Sequence, residues 1–445
     1  MKRVYSLIAA AIMLVVFTSA RGQSLWSLQK CIDYALQNNI QIKQQALNSE
    51  YYSNQLGQAK FNRLPNLNAG FQNNMSFGRT IGPDNIYLDI NSNSTSGSLN
   101  SNVTIWNGFT LTNSIKMADM DLRASLEEMK KAKDDIMLNI AASYLEILFA
   151  DELVVVAEDL LKITQLQIDR TTKLVEAGSL AKGSLLEIEA QYAREELNVV
   201  NAQNRLQLAY LALYQLLEVP STESFKIEKP TLPEIGANLS LLNSMDVFRN
   251  AVQLKPAVKG AEFKLESARK QLLIAKGSLM PTLSFGGNYY NFYNNKYTDR
   301  YGNKLLFDSQ FKTNERYGFG ASLNIPIFNR YQAKTGVKNA QIQLENTELQ
   351  LQNTKNLLRK DIEQSYTNAL AAFKRYVANQ KAVVSSKEAF RYTEEKFNVG
   401  MINSVEYNQS KNNLSKAQSD LLQAKYEYIF RTKILDFYNG EIIQL

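Results

Sequence analysis

Few side chains in this sequence are equipped for chemistry. Among 445 residues there is no histidine and one cysteine, Cys31. That excludes His-based triads, histidine metal sites, Cys-rich zinc sites and any intramolecular disulfide. No glycine loop of the kind that cradles phosphate is present. Carboxylates are plentiful but scattered along stretches that read as helix, and no pair stands out as acid and base. The run Lys130-Lys131-Ala132-Lys133-Asp134-Asp135 reads as a solvated helix face. Net charge is +7, yet opposite charges are interleaved and no basic block exceeds two residues. A nucleic-acid-binding stripe would be clustered, so nucleic acid is not an expected partner. The residues therefore offer no catalytic group, no cofactor site and no metal site, and the function has to come from architecture.

Long helices dominate that architecture. The chain has 8 prolines, none of them between residues 84 and 219 or after 326, and 20 glycines. Between Gly108 and Gly178 lie 69 residues with neither, enough for a helix of roughly 100 Å at ~1.5 Å per residue. Ile115, Leu122, Met129 and Ile136 recur every seven residues, as do Val337, Leu344, Leu351 and Leu358. A sustained seven-residue apolar period predicts left-handed coiled-coil packing. Residues 184–217 and 404–438 read as return helices, so two antiparallel helical hairpins are expected with tips at Gly178 and Gly400. Glycine turns the chain there and admits close backbone approach, which makes Gly178, Leu180, Val399, Gly400, Met401 and Ile402 candidates for docking a partner protein.

The chain is duplicated. A shift of 222 pairs Ile105 with Ile327, Lys116 with Lys338, Tyr144 with Tyr366 and Gly178 with Gly400, and a shift of 216 pairs Leu56 with Leu272, Pro65 with Pro281 and Gly70 with Gly286. Six extra residues therefore enter one loop of the second half. A period this long is no solenoid unit; each half should read helix, strand hairpin, long helix, helix. In 66–77, 98–105, 282–289 and 318–327 the period changes to two. Leu67, Phe71, Leu99, Val103, Leu283, Phe285, Phe319 and Leu323 alternate with Asn, Gln, Ser and Thr. Four such strands of eight to ten residues, apolar on one face with nothing left to cover it, match transmembrane barrel strands. Four cannot close a barrel, for which ~8 is the practical minimum, so several copies must share one. The aromatic cluster Tyr289, Tyr290, Phe292, Tyr293, Tyr297 and Tyr301 fits an interfacial girdle and outer loop. Residues 1–22 read as a secretory signal, with Lys2 and Arg3 before the apolar run Ile8 to Phe17 and small residues after it. Its removal leaves 47 basic against 43 acidic side chains. Cys31 lies too far beyond the run to be a lipoprotein acylation site and reads as a small apolar residue of the first helix.

The Leu64-Pro65-Asn66-Leu67 and Met280-Pro281-Thr282-Leu283 joints carry a resemblance, as do Ile105-Trp106-Asn107-Gly108, Pro326-Ile327-Phe328-Asn329, Ala177-Gly178-Ser179 and Val399-Gly400-Met401. In duplicate and in this order they make the chain similar to the outer-membrane efflux protein family, the TolC family of trimeric exit ducts. The similarity spans essentially the whole mature chain. It implies a mainly α fold with a β-barrel part: long antiparallel coiled-coil helices forming an α-barrel tunnel, and four transmembrane strands per protomer pooled into a twelve-stranded barrel. The implied division is a signal peptide (1–22), N-terminal helices (23–65), a first β-hairpin (66–106), a first helical hairpin (107–219) and a linker (220–242). Then follow second-half helices (243–281), a second β-hairpin (282–327), a second helical hairpin (328–438) and a tail (439–445).

The resemblance also implies where the duct narrows. In the family, acidic residues six and nine positions after each tip glycine face the aperture. Here those positions hold Ser184 and Glu187 in the first half, Glu406 and Gln409 in the second, so one acid per half remains, at staggered levels. The family's ionic lock joins a tip aspartate to an arginine, and its places here hold Ser184 and Ile402. Glu187 and Glu406 read equally well as solvated helix-face residues. The implied partners are two further copies of the chain, a periplasmic adaptor protein, an inner-membrane pump or ABC exporter, and outer-membrane lipid. The competing expectation is a secreted or surface coiled-coil structural protein whose strands are soluble hairpins.

Overall fold

The computed structural model describes residues 25–81, 85–220, 225–231, 235–236 and 242–444. The expected signal peptide lies outside them, as does much of the expected 220–242 linker. The two halves contain the same helices. In the first are α1 (Leu28–Asn38), α2 (Ile40–Phe61), α3 (Thr110–Glu176) and α4 (Lys182–Leu217). In the second are α5 (Ser244–Leu254), α6 (Pro256–Gly277), then, after a short α7 (Phe307–Thr313), α8 (Gln332–Asn398) and α9 (Ser404–Asn439). Equivalent helices have equal lengths of 11, 22, 67 and 36 residues. Local chemistry sets their ends. The Ser27 hydroxyl accepts from Lys30 N, the Asn243 side chain accepts from Met245 N, and Gly440 closes α9 in the left-handed conformation, each satisfying backbone groups that a helix end leaves unpaired.

The strands are β1 (Leu25–Trp26), β2 (Asn68–Ser76), β3 (Arg79–Ile81), β4 (Tyr87–Asp89), β5 (Ser92–Trp106), β6 (Lys226–Ile227), β7 (Thr282–Asn294) and β8 (Arg316–Asn324). The six-residue difference between halves falls in the strand connections: the first half carries the small β3–β4 ribbon and the second carries α7.

The chain divides into two compact units. One comprises Met1–Ala46, Glu127–Lys259 and Thr354–Leu445, described from residue 25 onward. Its core gathers Cys31 and Ala35 of α1, Ile140, Tyr144 and Ile147 of α3, Leu213 and Leu217 of α4, and Ile429 of α9. Burial pushes the Cys31 thiol up to about 12, so this cysteine is a core residue and chemically inert. The Tyr144 hydroxyl donates to the Glu228 carbonyl at 2.6 Å and lies 3.1 Å from that of Trp26, clasping β1 to its parallel partner β6. In the Lys130 to Asp135 run the solvated reading fits Lys130 and Lys131, which pair with Glu127 and Asp135. Asp134 departs from it: the carboxylate is largely buried, 3.9 Å from the Lys255 amine.

The other unit, Leu47–Leu126 with Gly260–Asn353, holds an antiparallel sheet in the order β2-β5-β7-β8. Leu99, Tyr289 and Tyr317 stand side by side across three strands, as do Phe285 with Ala321 and Leu283 with Leu323. This is the apolar face, and it is open: Phe71 is 80% and Phe319 78% exposed. β5 differs from expectation at both of its ends. β5 begins at Ser92, six residues before its apolar alternation, because β2 and β7 both pair with its Ser/Asn-rich start. Near its other end the register with β7 shifts, so Trp106 lies opposite Leu283 and Ile105 is the extra residue. A bulge of this kind re-aims the side chains that follow it, here bringing Trp106 to the apolar side. The aromatic cluster is likewise divided by the pleat: Tyr289 and Tyr293 share the apolar face, while Tyr290 and Phe292 point to the other.

Candidate functional site at the helical tips

Both tips are built the same way. At the end of α3, Gly178 N–H donates to the Val175 carbonyl at 3.0 Å and Ser179 N–H to that of Leu174 at 2.8 Å; at the end of α8, Gly400 and Met401 bond to Phe397 and Lys396 at 3.1 and 2.9 Å. These are the paired bonds of a Schellman stop, which needs a left-handed residue at its centre. Gly178 and Gly400 supply it, at φ +72° and +75°, with nothing within 4 Å of where a Cβ would stand. Beyond the glycines the tips differ. α9 opens with Asn403, whose side chain accepts from Glu406 N at 2.9 Å, whereas Ala181 ahead of α4 offers no side-chain cap.

The candidate docking residues are not equally presented. Val399 and Met401 are 71% and 75% exposed, while Leu180 and Ile402 are half-buried. Of the four aperture candidates, Glu187, Glu406 and Gln409 are exposed and Ser184 is half-buried. They are not gathered into one cluster. Glu187 accepts a hydrogen bond from the Ser404 hydroxyl of the other hairpin. Glu406 sits in the first turn of α9, where the helix dipole favours an anion. Gln409 donates to Asn413 on its own helix at 3.2 Å.

What sequence reasoning missed lies just behind the tips. Lys411 of α9, 1% exposed, donates to both carboxylate oxygens of Glu195 of α4, 6% exposed, at 2.9 and 3.1 Å. It also donates to the Leu160 carbonyl of α3 at 3.0 Å and to the Thr164 hydroxyl, which donates to Glu195 in turn. Gln191 donates to Glu195 at 3.0 Å. Burial pushes the Lys411 ammonium downward and the Glu195 carboxylate works against that shift. Nearer the tip, Arg170 of α3 bonds both to the side chain and to the carbonyl of Asn398, the last residue of α8. Tyr407 stacks on Phe397 with ring centroids 4.8 Å apart. The two hairpins are thus tied by three polar contacts, Ser404 with Glu187, Lys411 with Glu195 and Arg170 with Asn398, all within the first unit, while the Tyr407–Phe397 stack closes the second hairpin on itself. A signal for them existed in the seam spacing: Tyr407, Lys411 and Leu414 are 4 and 3 apart, Gln191, Glu195 and Val199 are 4 apart, and Thr164, Gln167 and Thr171 are 3 and 4 apart, all buried. A charged residue on a seam position, as Lys411 and Glu195 are, is buried and requires a partner.

Among the described residues no group of His, Cys, Asp and Glu is placed to hold a metal ion, and no helix is long and apolar enough to cross a membrane.

Similarity to known proteins agrees with this geometry. The chain is 24% identical to toxin and drug export protein A of Aggregatibacter actinomycetemcomitans over 415 residues, covering 90% of this chain and 83% of that one. It is 24% identical to the outer membrane protein TolC of Escherichia coli K12 over 423 residues, 91% and 80% of the two chains. Among solved structures, CusC superposes with a TM-score of 0.79 at 18% identity, covering 93% of this chain and 92% of the other. VceC of Vibrio cholerae gives 0.77 at 17%, covering 94% and 97%. These likenesses establish the fold, mostly helical and shared with those proteins. The family model for outer membrane efflux proteins matches residues 31–218 and 247–437, which takes in both helical hairpins and both strand pairs, and the chain belongs to that family.

Proposed function

We propose that the protein is a homotrimeric outer-membrane channel, the exit duct through which an inner-membrane pump or ABC exporter, joined by a periplasmic adaptor, discharges its cargo outside the cell. The observation that carries this reading is the four-stranded sheet. One face is apolar and exposed at Phe71 and Phe319, and its edge strands, β2 and β8, pair on one side only. Hydrocarbon tolerates neither open edges nor a half-sheet. Three copies would join β8 of one to β2 of the next and close a twelve-stranded barrel, and the helical hairpins would line the periplasmic tunnel. The names of the relatives, which speak of outer membrane proteins and of toxin and drug export, support the same assignment. In this reading Val399, Gly400, Met401, Gly178, Leu180 and Ile402 meet the adaptor, and Glu187 and Glu406 bring negative charge to the aperture beside Ser184 and Gln409. The protein contributes no chemistry and no cofactor.

The test is fractionation of full-length protein followed by native mass measurement in detergent and single-channel recording in a planar bilayer. An outer-membrane trimer that conducts is expected. A stable conducting monomer would sink the architecture, and a secreted, non-conducting protein would favour a coiled-coil structural role.

A further inference from the structure

β7 outruns its neighbour. Its pairing with β8 stops at Tyr290, while it continues to Asn294 against β5. On the open side, side-chain amides of the following segment take the place of a strand. Asn314 donates to the Phe292 carbonyl at 2.7 Å, and Gln310, fully buried, accepts from Asn294 N at 2.9 Å and donates to Asn294 O at 2.8 Å. Asn291 in turn donates to the Phe311 carbonyl at 2.7 Å. These bonds clamp α7 against the end of β7, and they place it over the apolar face. Phe307 meets Tyr293 with ring centroids 5.3 Å apart and Phe311 at 5.7 Å.

Between α7 and the sheet runs a groove of about 330 Å³, walled by Phe71, Leu99, Tyr289, Tyr293, Phe307 and Phe311. Its floor includes Gly97, which stands opposite Asn291 in register, and a Cβ built on Gly97 meets nothing within 4 Å. The floor is therefore open space that any side chain there would occupy. Asn291, 3% exposed, also lines the groove, and its Oδ1 is a buried acceptor with no hydrogen-bond partner among the described residues. A buried acceptor left unpaired is costly, so an occupant that carries a donor is favoured over a bare hydrocarbon. The loop above, residues 295–315, is only slightly basic, with Lys296, Arg300, Lys304 and Lys312 against Asp299, Asp308 and Glu315. The Asp299 carboxylate is already engaged by the backbone of Tyr301 and by Asn303.

We propose that this groove binds lipopolysaccharide, the phosphorylated and multiply acylated glycolipid of an outer leaflet. An acyl chain lies between Phe307, Phe311 and the sheet, its amide N–H or hydroxyl reaches Asn291, and the sugar phosphates meet the lysines and arginine of the loop. The inference rests on the membrane-spanning reading of the sheet, since that reading directs the apolar face to lipid and the strand connections to the outside. Three features select this lipid. The groove is continuous with the exposed apolar band, the loop offers four individual cations to phosphate groups, and the orphan acceptor asks for a donor next to an acyl chain, which the ester-linked chains of a glycerophospholipid lack.

The test is lipid analysis by mass spectrometry of the full-length protein purified from membranes in mild detergent, followed by re-addition of lipopolysaccharide to delipidated protein. Wild type should retain lipopolysaccharide through purification and recover it on re-addition. Gly97→Leu fills the floor without a clash at Cβ and should lose most of that lipid while assembling and conducting as before. If Gly97→Leu fails to assemble, Phe307→Ser combined with Phe311→Ser opens the groove from the loop side and should show the same loss. Equal retention by wild type and variants overturns the site, and so does retention of glycerophospholipid alone or of no lipid by a protein that still reaches the outer membrane. A protein that never reaches that membrane overturns the channel reading and this inference together.

Discussion

The two halves of this chain share a backbone and differ in what they bury. Helix lengths match pair by pair, both tips end in the same glycine stop, and both short-helix joints adopt the same extended turn, at φ −60°, ψ 131° for Asn39 and φ −73°, ψ 130° for Lys255. The side chains at matched places diverge. Asn39 is neutral and buried, donating to the Leu216 carbonyl and accepting from Gln41 N. Lys255 is a buried amine 3.3 Å from the Phe437 ring centroid and 3.9 Å from Asp134. Lys411 is matched by exposed Glu189, and Glu195 by Ala417. Duplication thus supplied two interchangeable hairpins, and divergence made them complementary, with one contributing the carboxylate and the other the ammonium.

The largest effect should come from breaking that complementarity. Lys411→Met leaves Glu195 buried without its counter-ion, and loss of one partner of a buried pair costs about 3–5 kcal/mol. Denaturant unfolding should show this, and limited proteolysis should find the tips loosened. The matched substitution in the other half, Glu189→Gln, should stay within about 0.5 kcal/mol, as surface changes do. Replacing Lys411 and Glu195 together by leucine should recover most of the loss. If the single Lys411 variant is as stable as wild type, the pair does not tie the hairpins.

Next come the tips. A side chain at Gly178 or Gly400 has room but must adopt a left-handed backbone, at about 1–2 kcal/mol. Gly400→Leu should abolish efflux while the trimer still assembles and inserts, because it alters the surface offered to the adaptor between exposed Val399 and Met401. Gly178→Leu, beside half-buried Leu180, should impair efflux less. Normal adaptor capture and transport by both variants would remove the tips from the docking surface.

The third comparison is one of pH. Burial holds Lys255 at about 8, against roughly 10.4 for a lysine in the unfolded chain. Below about 8 the amine is charged in both states, and the fold carries the whole cost of burying it. Between the two values the unfolded chain binds the extra proton, so stability rises with pH, and above both it levels off. Asp134 faces the amine, with its own carboxyl pushed upward by burial and the Lys255 charge opposing that shift. Lys255→Asn, which copies the first half, should flatten the rise between about pH 8 and 10 in thermal unfolding. A slope unchanged by the substitution would assign it to another group.

The smallest effect is expected at the aperture. Glu406→Gln should reduce cation preference, read as reversal potential under a salt gradient, and Glu187→Gln should reduce it less because the Ser404 hydroxyl already holds that carboxylate. Charges more than about 10 Å apart are largely screened at ~0.1 M salt, so the shift should fade as salt rises. An unchanged reversal potential in the double variant would make both residues a solvated helix face.

The sequence by itself determined the long helices and the four sheet strands, though not the short α7 or the β3–β4 ribbon, because period seven, period two and the placing of glycine and proline are local signals that each residue carries with its neighbours. It also disclosed the duplication, the loop that absorbs six extra residues, and the absence of histidine. Other features were decided only in the tertiary structure. The start of β5 at Ser92 depended on two neighbouring strands being present to pair with a segment that has no apolar alternation. The Trp106 bulge depended on register across strands 177 residues apart, from Trp106 to Leu283. The pairing of Lys411 with Glu195 could not be read from either helix, since each residue occupies an ordinary seam position until the other hairpin is laid against it. A buried charge is legible one chain segment at a time only as a cost; which group offsets it is a property of packing, and packing joins residues that the sequence keeps 216 apart.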